Sequence, residues 1–137
     1  MTFTQAVKSG WESKFVFSGR STRSAFWLWY LFYAIVIIAL ALIEAAVFAG
    51  AAALSSSNST LGTIVMVIGI ILGIAMTVAF IVLVIATVAA SVRRLHDRGQ
   101  SGWFLLLYLV PFGSIVILVF MVMPGTPGDN EYGAVTA

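Results

Sequence analysis

Three long apolar stretches constrain this chain more than any other feature. They cover residues 25–54, 61–92 and 103–123, and Glu44 is the only charged residue among them. About 20 apolar residues in a helix cross the roughly 30 Å hydrocarbon core of a bilayer, where the backbone must satisfy its own hydrogen bonds. The runs do not alternate as barrel strands do. We therefore predict an all-α integral membrane protein with three transmembrane helices, forming a single membrane domain over residues 1–137.

Composition supports this class of protein. Hydrophobic residues make up 61% of the chain and charged residues 9%, whereas soluble domains are about half apolar and a quarter charged. There is no cysteine and one histidine, so we expect neither a metal site nor a cofactor. Nothing in the sequence indicates a nucleic-acid partner.

A short amphipathic segment, residues 2–17, precedes the first run. Thr2 and Gln5 have the spacing of a capping box, and Phe3, Val7 and Trp11 recur every four residues. This pattern predicts an interfacial helix that lies in the headgroup layer. A short helix packed on the spanning helices is the alternative.

The basic residues predict the orientation. All seven lie in two places, Lys8, Lys14, Arg20 and Arg23 before the first run and Arg93, Arg94 and Arg98 between the second and the third. Basic residues in short loops stay in the cytoplasm. The amino terminus and the loop around Arg93 are therefore predicted to be cytoplasmic, and the linker over residues 55–60, SSSNST, to lie outside.

The lengths of the runs carry two further predictions. Residues 103–123 would form a helix about 31 Å long, so we predict one full crossing, kinked at Pro111, with the polar tail 124–137 outside. A re-entrant hairpin around Pro111 and Gly113 is the alternative. Residues 61–92 would extend about 48 Å, so their outer end is predicted to project beyond the bilayer.

Small residues recur every four positions on both long runs. They are Ala41, Ala45 and Ala49 on the first run and Gly69, Gly73 and Thr77 on the second. Such spacing lets helix backbones approach closely, and it predicts packing between the first two helices or, alternatively, a seam between copies of the chain. Glu44 lies about 28 Å into the first run, so we expect it at the outer interface.

The stretch RRLHDRGQSGW, residues 93–103, predicts a tight inner turn. Arg93 and Asp97 are four residues apart and can pair along a helix, Gly99 suits a left-handed helix cap, and Ser101 can cap the third helix. The structural residues of this loop are then Asp97, Gly99, Ser101, Gly102 and Trp103. Arginines beside a bilayer attract anionic lipid. The predicted headgroup-binding residues are Arg20, Arg23, Arg93, Arg94, His96 and Arg98.

Three motifs resemble a known family. They are FSGRSTRSAFW (17–27), RRLHDRGQSGW (93–103) and PGTPGDNEYG (124–133), and they are similar to the signatures of domain-of-unknown-function family 805, small bacterial inner-membrane proteins. The matching positions are Arg20, Arg23, Trp27, Arg93, Arg94, Leu95, His96, Asp97, Gly99, Ser101, Gly102, Trp103, Pro124, Gly125, Gly128, Asn130, Tyr132 and Gly133. The resemblance implies an inner-membrane location and no established reaction.

We expect a structural or accessory subunit that binds anionic phospholipid and a membrane protein partner or a second copy of itself. An oligomeric transporter or channel subunit, lined by Thr77, Thr87 and Ser91, is the first alternative. The second is an enzyme that acts on lipid headgroups through His96 and Asp97, although we expect no catalytic residue.

Overall fold

Every element of the structure is helical in the part of the chain that is described. The structure is a computed structural model that describes residues 1–57 and 59–134, with the backbone alone for residues 55–57 and 59. The elements are α1 (Phe3–Glu12), α2 (Arg23–Ser57), α3 (Ser59–Asp97), a 3₁₀ helix (Gly102–Leu109) and α4 (Gly113–Val122). The all-α fold is therefore confirmed.

Helix α1 begins with the predicted capping box. The Thr2 side chain accepts from the Gln5 backbone, and the Gln5 side chain accepts from the Thr2 backbone. Its buried face is Ala6 and Gly10, and a Cβ on Gly10 would lie 2.1 Å from a ring atom of Trp29. The alternative of a helix packed on the spans is thus present in this structure, and placement in the headgroup layer stays a prediction.

Helices α2 and α3 are the two helices long and apolar enough to cross a membrane among the described residues. Their 35 and 39 residues extend about 52 and 58 Å at 1.5 Å per residue. Trp27 and Tyr30 near the start of α2 are the residue types that gather at membrane interfaces. Most of the predicted linker, residues 55–60, is helical backbone, and Asn58 lies outside the described residues. Projection of the outer end of α3 stays a prediction.

The third apolar run is a hairpin, and the predicted single crossing over residues 103–123 is wrong. The chain turns between the 3₁₀ helix and α4, where Phe112 has a φ of 64°. A Cβ on Gly113 would lie 1.7 Å from the Leu107 carbonyl oxygen, so the two arms meet closely at the turn. At the other end the rings of Phe104 and Phe120 pack edge to face, 5.7 Å apart. Each arm is about 15 or 16 Å long, half of the thickness that a crossing requires.

The hairpin brings the tail back to the end of α3. Arg94 Nε donates to the Met121 carbonyl at 3.2 Å, and the Thr126 backbone N–H donates to the Asp97 carbonyl at 2.9 Å. The prediction that the tail lies across the membrane from the Arg93 loop is therefore wrong. Residues 135–137, the end of the predicted tail, lie outside the described residues.

The chain divides into two compact units. Unit 1 comprises Met1–Phe32 and Val84–Ala137, and unit 2 comprises Tyr33–Leu83. The predicted single domain over residues 1–137 thus comprises two compact units.

Within unit 2, glycines of α3 pack against α2. A Cβ on Gly69 would lie 2.8 Å from Val47 Cγ1, and one on Gly73 would lie 3.1 Å from Glu44 Oε1. The predicted packing residues Ala41, Ala45 and Ala49 are instead exposed. The contact on α2 is made by a neighbouring face, because residues 44 and 47 lie on a different side of the helix from the alanines.

Candidate functional site

The carboxyl end of α3 is closed by Gly99. Its backbone N–H donates to the His96 carbonyl, and the Gln100 N–H donates to the Leu95 carbonyl, both at 2.9 Å. These two bonds form a Schellman cap, for which Gly99 has the left-handed φ of 69°. The Ser101 hydroxyl then accepts from the Trp103 N–H and caps the 3₁₀ helix. Gly102 and Trp103 are the first two residues of that helix.

Asp97 is the centre of a buried ion cluster. Arg20 Nε donates to Asp97 Oδ1 at 2.9 Å, and Arg94 Nη1 donates to Oδ2 at 2.5 Å. The side chains of Arg20 and Arg94 are 1% and 0% exposed. Two guanidinium groups thus share one carboxylate inside unit 1. Removing one partner from such a buried arrangement leaves an uncompensated charge.

The pairing differs from the one that the sequence suggested. Arg93, four residues before Asp97, instead faces the segment after α1, where its Nη1 donates to the carbonyls of Ser13, at 2.9 Å, and Val16. On a helix, the residues three and four positions before a carboxylate both lie close to it, so either arginine could have paired with Asp97. Asp97 points toward the tail, which is the side on which Arg94 lies.

Backbone carbonyls accept from the remaining nitrogens of both cluster arginines. Arg20 donates to four of them, those of Asp97, Thr126, Gly128 and Gly133. Arg94 donates to the carbonyls of Met121 and Met123. These bonds satisfy buried charge that would otherwise be costly. They also tie the amino-terminal segment, the end of α3 and the tail together.

The tail fits closely against the cluster. A Cβ on Gly125 would lie 2.2 Å from Asp97 Oδ2, so only glycine fits there without a shift. Asn130 Nδ2 donates to the His96 carbonyl at 2.9 Å and to Thr126 Oγ1 at 3.0 Å. The tail therefore forms one wall of the cluster.

His96 is held between the amino-terminal segment and the tail. Its Nδ1 lies 3.1 Å from the Gly19 carbonyl oxygen, and its ring stacks on Tyr132 with centroids 3.9 Å apart and planes 3° from parallel. Desolvation and a hydrogen bond with Glu131 raise the pKa of the Tyr132 phenol. His96 is thus engaged within the protein, as Asp97 is in the ion cluster.

The six predicted headgroup-binding residues differ in what they offer a ligand. Arg20 and Arg94 are enclosed and donate to the protein itself, which corrects the expectation that they face the phosphate layer. His96 is stacked, and Arg98 Nη1 donates to the Pro124 carbonyl at 2.6 Å. Arg23 is exposed, and Arg93 lines a cavity of about 450 Å³ in unit 1. Headgroup binding stays a prediction, now centred on Arg23 and Arg93.

Sequence reasoning missed the tail as part of the site. The tail residues Gly125, Thr126 and Asn130 contact the cluster. Backbone carbonyl groups of the tail also accept hydrogen bonds from its arginines, and a pattern of side chains in the sequence cannot predict such bonds. The signal that could have found them is the third motif, PGTPGDNEYG. A conformationally constrained, polar run directly after an apolar one is unusual for a free tail.

Comparisons with known proteins agree with the three motifs. A family model described as "Protein of unknown function (DUF805)" matches residues 14–134. Inner membrane protein YhaI of Escherichia coli strain K12 is 35% identical over 118 residues, 85% of this chain and 82% of that protein. Inner membrane protein YhaH of the same strain is 52% identical over 42 residues, 30% of this chain and 35% of that protein. No solved structure matches. The cluster of Arg20, Arg94 and Asp97 thus joins segments that all lie inside the family match, and the chain belongs to the DUF805 family of proteins of unknown function.

Proposed function

We propose that the protein is an accessory subunit of the bacterial inner membrane, which holds anionic phospholipid at its basic end and binds a membrane protein partner. The observation that carries this proposal is the charge of unit 1. All seven basic residues and four of the five acidic residues lie in this unit, so it has three excess positive charges. Each basic residue near an anionic surface contributes about 1 kcal/mol to lipid attraction.

The proposal includes an orientation for this end. The amino-terminal segment, the loop after α3 and the tail converge on one cluster, and basic residues concentrate there. The positive-inside rule then favours the cytoplasm for all three segments. The convergence supports a cytoplasmic tail in place of an outer one.

Cysteine labelling tests this orientation. The chain has no cysteine, so Thr4→Cys, Thr60→Cys and Ala134→Cys each introduce one thiol. We expect a membrane-impermeant maleimide to label only Thr60→Cys in intact spheroplasts and to label all three after permeabilisation. Labelling of Ala134→Cys in intact spheroplasts would contradict the orientation.

Lipid composition tests the binding half of the proposal. The protein is extracted with a styrene–maleic acid polymer, and the lipids in its discs are compared with those of discs made from the bulk membrane. We expect phosphatidylglycerol or cardiolipin to be enriched about twofold or more, since several basic residues each contribute to attraction. An unchanged composition would overturn headgroup binding.

Site-specific crosslinking tests the partner half. A photoreactive amino acid is placed at the exposed residue Ile74 or, in a second variant, at exposed Leu118. We expect one discrete crosslinked species with a second chain, identified by mass spectrometry. Crosslinks to lipid alone from both positions would contradict a protein partner.

An oligomeric transporter or channel subunit is the second candidate, and one observation favours it. Unit 2 contains a cavity of about 250 Å³ whose lining includes Glu44 and Thr77. However, all three predicted lining hydroxyls make internal bonds, because Thr87 accepts from Trp29 Nε1 while Thr77 and Ser91 donate to the carbonyls of Gly73 and Thr87. Ion or solute flux in liposomes that Glu44→Gln abolishes would favour transport, and its absence at every protein load would exclude it.

A further inference from the structure

The cavity of about 450 Å³ in unit 1 is unlike the ion cluster beside it. It lies between α1, the segment that follows it and the facing parts of α2 and α3, with Ser9, Ser18, Ser21, Trp29 and Arg93 in its lining. Its volume falls within the range of about 300–1,000 Å³ that is usual for small-molecule sites. It is therefore large enough for a ligand with a charged group and a polar body.

Arg93 brings an unneutralised charge to this cavity. The residue is 8% exposed, yet no carboxylate lies within 4 Å of it among the described residues. Its Nη1 donates to two backbone carbonyls, and its Nε and Nη2 make no hydrogen bond within the described part of the chain. A buried cation without a counter-charge is costly, and an anion in the cavity would remove that cost.

Hydroxyl groups surround the same space. Ser9, Ser18 and Ser21 line the cavity, and their hydroxyls form no hydrogen bond with any residue that the structure describes. A hydroxyl donates one hydrogen bond and a guanidinium several. Phosphate oxygens accept such bonds and form them most strongly with charged donors.

We propose that this cavity is a binding site for a phosphate group, in which Arg93 supplies the charge and Ser9, Ser18 and Ser21 supply further donors. The inference rests on the proposed headgroup function and assigns one defined site to it. The phosphate belongs either to a lipid headgroup or to a small soluble phosphate. The cavity exceeds the size of inorganic phosphate, which favours a headgroup.

Binding to the purified full-length protein tests the site. Dihexanoyl phosphatidylglycerol, dihexanoyl phosphatidylcholine and inorganic phosphate are titrated separately in a nonionic detergent, and affinity is measured by calorimetry. We expect phosphatidylglycerol to bind, and Arg93→Gln to weaken it about tenfold or more through the lost charge-assisted bonds. Ser9→Leu, which fills the cavity and leaves Arg93 in place, has the same expected effect.

Lys8→Gln is the matched control, because the Lys8 side chain is 76% exposed, does not line the cavity and is not among the predicted headgroup-binding residues. It removes the same charge, and we expect less than about a twofold change in affinity. Thermal unfolding establishes that each variant is folded. If Arg93→Gln does not fold, the affinity of Ser9→Leu for phosphatidylglycerol decides whether the cavity is the site.

The outcomes distinguish the cavity site from headgroup binding elsewhere on the protein. Phosphatidylglycerol that binds equally well to wild type, Arg93→Gln and Ser9→Leu would overturn the cavity site and leave headgroup binding at the exposed basic residues. Equal binding of phosphatidylglycerol and phosphatidylcholine, unaffected by any variant, would overturn both. Inorganic phosphate that binds with the same dependence on Arg93 would support the site and identify a soluble phosphate as its ligand.

Discussion

Asp97 in unit 1 and Glu44 in unit 2 are both carboxylates on long apolar helices, yet their surroundings differ. Asp97 receives two arginines and lies at the junction of three chain segments. Glu44 is partly exposed, and unit 2 contains no basic residue at all. The comparison teaches that Asp97 joins distant segments because their donors converge on it, whereas unit 2 offers Glu44 no basic side chain.

The largest expected effect is at Asp97. Asp97→Asn leaves the buried guanidinium groups of Arg20 and Arg94 without their counter-charge, and breaking such an arrangement typically costs about 3–5 kcal/mol. We expect a loss of that size in the free energy of unfolding, measured by titration with sodium dodecyl sulfate in mixed micelles.

Glu12→Gln is the control for that variant. Glu12 pairs with Lys8 at 4.0 Å, and their side chains are 65% and 76% exposed, so its removal should cost less than about 1 kcal/mol. If Asp97→Asn and Glu12→Gln lower the free energy of unfolding equally, the buried carboxylate of Asp97 is no more important to stability than the exposed one of Glu12.

The next effect concerns the wall that the tail forms around Asp97. Gly125→Ala places a methyl group 2.2 Å from Asp97 Oδ2, whereas a Cβ on Gly128 meets nothing within 4 Å. Overpacking of this kind costs about 1–3 kcal/mol, so we expect Gly125→Ala to lower the midpoint of unfolding. If Gly128→Ala lowers it as much, the close fit of the tail does not stabilise the cluster.

A smaller effect tests packing inside unit 2. A Cβ on Gly69 would lie 2.8 Å from Val47 Cγ1, on a β-branched side chain with restricted rotamers, while Gly50 has open space. We expect Gly69→Ala to lower the free energy of unfolding by about 1 kcal/mol and Gly50→Ala to raise it by up to about 1 kcal/mol. Thermal unfolding in detergent measures which of the two variants is more stable. If Gly69→Ala is more stable than Gly50→Ala, the α2–α3 contact is contradicted.

The smallest effect is expected at Glu44. Because no arginine or lysine lies in unit 2, Glu44→Gln breaks no ion pair within it and should change the free energy of unfolding by less than about 0.5 kcal/mol. A loss comparable to that of Asp97→Asn would abolish the distinction between the two carboxylates.

Local signals in the sequence predicted local structure correctly. The capping box of Thr2 and Gln5, the left-handed Gly99 and the cap at Ser101 all depend on neighbours within a few residues. The long α2 and α3 follow from continuous apolar runs, because a backbone in lipid has few alternatives to a helix.

The hairpin and the ion cluster depend on distant contacts, which leave no periodic pattern. Residues 103–123 have the length of one crossing whether or not they cross, and what distinguishes the hairpin is the set of bonds from Arg94 to Met121 and Met123. The bias of basic residues toward the cytoplasm likewise reports their side of the bilayer and says nothing about burial. That is why Arg20 and Arg94 were expected to face lipid and instead face Asp97.

The spacing of the cluster along the chain sets an order for its assembly during synthesis. Asp97 and Arg94 leave the ribosome before residues 121–126, whose backbone groups bond to them, and translation adds only about 5–20 residues per second. Until those residues emerge, Asp97 can pair with Arg20 and Arg94 but lacks its hydrogen bond with the Thr126 backbone. The tail is therefore the last part of the cluster to be synthesised. A nascent chain that stops before the tail has an incomplete cluster at the membrane.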